Sequence, residues 1–71
     1  MTIKERFAKY STEELKVALG FLEEKLKDAN NRLNAYRNEG NKEFYDIENE
    51  NVRSIEATIL DVRCAYLARA N

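Results

Sequence analysis

The sequence predicts an all-α protein: an antiparallel two-helix hairpin with coiled-coil-like packing, a short N-terminal helix before it, and dimerisation of hairpins into a four-helix bundle. Three observations carry this expectation. Proline is absent and glycine occurs only twice, so the usual helix breakers are almost missing. Apolar residues recur in two ladders that step alternately by four and three. The first is Leu15, Leu19, Leu22, Leu26, Ala29, Leu33 and Tyr36; the second is Tyr45, Glu48, Val52, Ile55, Ile59, Val62 and Tyr66. The second ladder repeats the first spacing in reverse. A chain folded back near Gly40 therefore sets Leu15 opposite Tyr66, Leu22 opposite Ile59, Ala29 opposite Val52 and Tyr36 opposite Tyr45, with every rung in register. Such pairing is what an antiparallel helical pair requires.

The elements follow from their ends. Thr2 and Glu5 have the spacing of a capping pair and open a first helix at about 3–9. Ser11 and Glu14 form a second capping box, with Tyr10 and Leu15 placed as a hydrophobic staple across it. The second helix is expected at about 12–38. Gly40 can take the left-handed conformation that ends a helix, giving a turn at 39–41. Asn41 then caps a third helix at about 42–70. Glu43, Asp46, Glu48 and Glu50 near its start, and Arg63 and Arg69 near its end, suit the helix macrodipole.

Residues 1–71 form a single helical domain of 8.3 kDa. A chain this small is marginally stable alone and needs a staple, a metal or self-association. Cys64 is the only cysteine and histidine is absent, so an internal disulfide is impossible and a structural zinc site lacks its ligands. Self-association as a homodimer remains. The lone cysteine, and an N-terminus without an apolar run, fit a cytoplasmic protein, and no segment is apolar enough for a membrane helix.

No catalytic constellation is present. Without histidine there is no histidine-based triad or Glu-x-x-His metal pair, and no glycine-rich phosphate loop occurs. Cys64 falls on an apolar helical stripe, where an inert buried thiol is the expectation. The chain is expected to be no enzyme and to carry no cofactor. Twelve basic and thirteen acidic residues leave a formal net charge of −1, which gives no overall pull toward phosphate. The alternative nucleic-acid reading, an RNA-binding bundle, rests on a row of Lys25, Arg32 and Arg37, interrupted by Glu23, Glu24, Asp28 and Glu39.

Apolar residues outside the ladders make the protein-contact reading the stronger one. Val17, Ala18 and Phe21 lie beside the first ladder; Leu60, Cys64 and Leu67 form a stripe on the third helix. Ile3, Phe7 and Tyr10 are the expected cover for that open end. Phe44 and Ile47, with Tyr36 and Tyr45, lie at the loop end beyond its reach. Phe44 and Ile47 are expected either to widen the local core or to contact a second chain, meeting a second copy's surface around Phe21, Leu60 and Leu67. Tyr36 and Tyr45 are expected to pack at the ladder end or, with Phe44, to form an aromatic patch for another protein. Glu48 is the one charged rung and is expected to lean out of the seam toward Arg32 or Arg37. The function these features predict is stoichiometric: a protein–protein interaction module regulating or inhibiting a macromolecular partner. A structural assembly subunit is a further alternative.

Overall fold

The computed structural model describes residues 6–70. Two helices, α1 (Thr12–Glu39) and α2 (Lys42–Ala70), fold back on one another into a rod of 45 × 22 × 16 Å. Both ends of α1 form as the sequence requires. The Glu14 N–H donates to Ser11 Oγ at 3.1 Å, and the Ser11 N–H donates to Glu14 Oε1 at 3.0 Å. At the other end Gly40 has φ 72°, and the Asn41 N–H donates to the Tyr36 carbonyl at 2.9 Å. A left-handed residue there lets the chain reverse while the last carbonyls stay paired. Asn41 caps α2, its Oδ1 accepting from the Phe44 N–H at 3.2 Å.

The core is the seam between the ladders. All fourteen ladder residues are buried or half-buried. Ala29, Val52, Ile55 and Ile59 form one cluster with Leu19, Leu22, Leu26 and Leu33 around it. Leu15, Val62 and Ala65 form a second at the open end, joined by Phe7, Ala18 and Tyr66. Burial is lopsided: α1 contributes Leu15 and Ala29 to the fully buried set, while α2 contributes most of the rest. The small Ala29 side chain admits Val52 closely, and the longer leucines of α1 spread along the seam's margins, half in water.

Of the expected 3–9 helix, residues 1–5, with Ile3, lie outside the described residues. The remainder has one helical residue, Arg6, followed by a turn in which the Tyr10 N–H donates to the Phe7 carbonyl at 3.1 Å. Arg6 reaches Asp61 at 3.4 Å, and Arg69 donates to the Phe7 carbonyl, so the segment is tied to α2. Phe7 packs on the buried Leu15, while Tyr10 is more exposed and lines the same groove. No helix among the described residues is long and apolar enough to cross a membrane.

Candidate interaction surface

A hairpin of two helices has two broad faces, and the ladders define them. A helical residue is rotated about 100° from its neighbour, so residues just before each ladder position share one flank and those just after share the other. Ala18, Phe21 and Thr58, all of the preceding kind, line one apolar groove together with Phe7 and Val17. The preceding flanks of α1 and α2 therefore lie on the same face. Phe21, Lys25 and Arg32 of α1 and Phe44, Ile47 and Asn51 of α2 belong to it.

The apolar residues of this face are largely uncovered. Phe21 is 62% exposed, Phe44 50% and Ile47 63%. The expected cover is partial: Phe7 packs over the seam at Leu15 and Val62, while Val17 and Phe21 stay exposed. At the loop end the Tyr36 and Phe44 rings pack at 5.5 Å, tilted by 55°, with Tyr36 and Tyr45 half-buried at the last rung. Phe44 thus rests on Tyr36 and still presents half its surface to water.

Leu60 and Leu67 follow ladder residues Ile59 and Tyr66 and so project from the opposite face, both exposed. The structure therefore brings Phe21, Phe44 and Ile47 to one face and sets Leu60 and Leu67 apart from them. Cys64 is exposed as well, contrary to the buried thiol expected of its stripe.

Among the described residues Glu48 is the one buried charged residue in the core, at 9% exposure. Its Oε1 accepts from Arg32 Nε at 2.7 Å, and its Oε2 accepts from Asn51 Nδ2 at 2.7 Å. A second guanidinium nitrogen of Arg32 approaches Oε2 at 3.5 Å. A carboxylate taken out of water needs such partners to remain ionised. The Arg32 hydrogen bond, then that of Asn51, hold the Glu48 carboxyl below its usual range against the opposing effect of burial. The same contact raises Arg32.

The cations of the RNA reading are thereby partly engaged. Arg32 is committed to Glu48, Lys25 Nζ lies 5.6 Å from the Phe21 ring centre, and Arg37 sits in the last turn of α1. Two contributors escaped the sequence reading. Asn51 stands three residues after Glu48, a spacing that places both on one helical flank, and that signal was available. Ala65 is buried through contact with the N-terminal segment, which ladder spacing alone does not reveal. No protein-family model matches the chain, and neither the curated proteins nor the solved structures include a significant match to it.

Proposed function

We propose that this chain is a non-enzymatic protein–protein interaction module of the cytoplasm. It self-associates through its hairpin into a four-helix bundle, with the N-terminal segment around Phe7 covering the open end, and acts stoichiometrically as a regulator or inhibitor of a macromolecular partner. The observation that supports this reading is that large side chains stand exposed on one face toward both ends of the rod, Phe21 toward the open end and Phe44 with Ile47 toward the loop, while the seam itself is filled. Apolar side chains left exposed in such patches mark interaction sites. Self-association would cover that face and leave Leu60 and Leu67, on the other, for a heterologous partner.

The test is a double substitution, Phe44→Ser with Ile47→Ser. Both positions are exposed, so helicity by circular dichroism should hold while the dimer is lost. Unchanged mass in a folded variant would refute the reading. The RNA alternative predicts instead a salt-sensitive retention on RNA that disappears when Arg32 and Arg37 are neutralised. An assembly subunit would form higher oligomers without a tight heterologous ligand.

A further inference from the structure

We infer that the occupant of the Phe21–Phe44 face is a second copy of this chain, held antiparallel by a self-complementary stripe on α1. The inference rests on the self-association proposed above and specifies its face and register. The stripe consists of the residues just before the ladder positions, Ala18, Phe21, Lys25, Asp28, Arg32 and Ala35. Its composition is complementary to its own reverse. Laid antiparallel on itself, Lys25 meets Asp28 of the second copy, Phe21 meets Arg32 of the second copy, and Ala18 meets Ala35 of the second copy. A twofold axis repeats each contact, as a closed isologous dimer demands.

Each pairing has a physical rationale. Lys25 and Asp28 form no ion pair within the described residues, so both are available across the axis. Lys25 already lies over the Phe21 ring, which shows that cations sit on this aromatic face, and Arg32 can stack there from the other side. Alanine against alanine lets the helices approach closely at both ends. Beyond them Glu14 and Glu39 meet as like charges at the solvated margin, a modest opposing contribution in high dielectric.

The second helix supplies an independent check. The hairpin register leaves α2 no freedom once α1 is paired: the same axis passes beside Ser54, sets Asn51 against Thr58 and Ile47 against Asp61 of the second copy, and brings Phe44 over the Phe7 segment that covers Ala65 of the second copy. Phe44, resting on the half-buried Tyr36 at the loop end, falls over the groove between Phe7 and Phe21 at the other copy's open end. A face 45 Å long and 22 Å wide can supply the ~800 Å² per partner typical of stable interfaces.

Charge swapping tests this directly, read as the dimer dissociation constant of the full chain. Lys25→Asp or Asp28→Lys alone should weaken the dimer about tenfold by setting like charges across the axis, and the double variant should restore it. Mild oxidation should convert Ser54→Cys, in a Cys64→Ala background, to a covalent dimer, whereas wild-type Cys64 on the outer side should not cross-link. If the wild type dimerises but the single charge variants bind normally and the Ser54→Cys chain stays uncross-linked, the face and register are overturned while self-association stands. A wild type that stays monomeric at all concentrations overturns both.

Discussion

Arg32 Nε lies 2.7 Å from Glu48 Oε1, joining α1 to α2 across the seam near the turn. The ladder would otherwise hold an apolar residue at this rung, opposite Leu33. The guanidinium enters from the flank, where it is half exposed, and so keeps the carboxylate paired at the edge of the core. A leucine at Glu48 should raise stability by about 1 kcal/mol, since a buried ion pair is often no better than an apolar replacement. Thermal unfolding checks this: the melting temperature of Glu48→Leu should rise by about 4–8 °C in a chain this small.

The same contact sets an acid dependence. The Glu48 carboxyl is held below its usual range by Arg32 and Asn51, and that of Glu14 is lowered by its backbone and side-chain hydrogen bonds with Ser11. A carboxyl with a depressed folded-state pKa contributes stability above its unfolded value, about 4.3 for Glu, and loses it as pH falls through the folded value. Melting temperature should therefore be flat near neutrality and fall below about pH 4. Glu48→Gln should flatten that fall, and an equal acid slope in wild type and variant would contradict the assignment.

The seam itself is tested by Ile59→Ala. Ile59 is buried in the central cluster among Ala29, Val52 and Ile55. Removing it should cost about 2–4 kcal/mol, a large part of the stability available to so small a chain. Leu60→Ala, one residue away but exposed, should change stability by less than about 0.5 kcal/mol. Denaturant midpoints for the two variants measure the contrast.

Gly40 offers a test of the turn. Its φ of 72° lies in the left-handed region, and a Cβ there would meet no atom within 4 Å. Gly40→Ala should thus lose only backbone energy, about 1 kcal/mol, without a steric clash. A cost of several kcal/mol would mean that a methyl group at this turn meets a neighbour.

Much of the fold was legible because it depends on spacing. The reversed ladders specified which helices pair and in what register, and Ser11, Gly40 and Asn41 marked the ends to within a residue. The pairing of Glu48 was legible as far as a choice between Arg32 and Arg37, but Glu48 does not lean out of the seam as expected: it stays buried, and Arg32 reaches in to it from the flank. What spacing could not give was the N-terminal segment. How Phe7 comes to pack on Leu15 depends on a turn closed by tertiary contacts from Arg6 and Arg69, not on a period. The exposure of Cys64 was missed for a related reason: an apolar stripe records that something could pack on it, not that the same chain reaches it. The grouping of Phe21 with Leu60 fails similarly, because neighbours on either side of a ladder residue turn to opposite faces.

The most direct measurement is the solution mass of the full chain by light scattering over a wide concentration range. A rise from 8.3 kDa toward twice that value, saturating at the dimer, is the predicted result. A mass of 8.3 kDa at every concentration would contradict the four-helix bundle and leave the Phe21–Phe44 face without its proposed occupant.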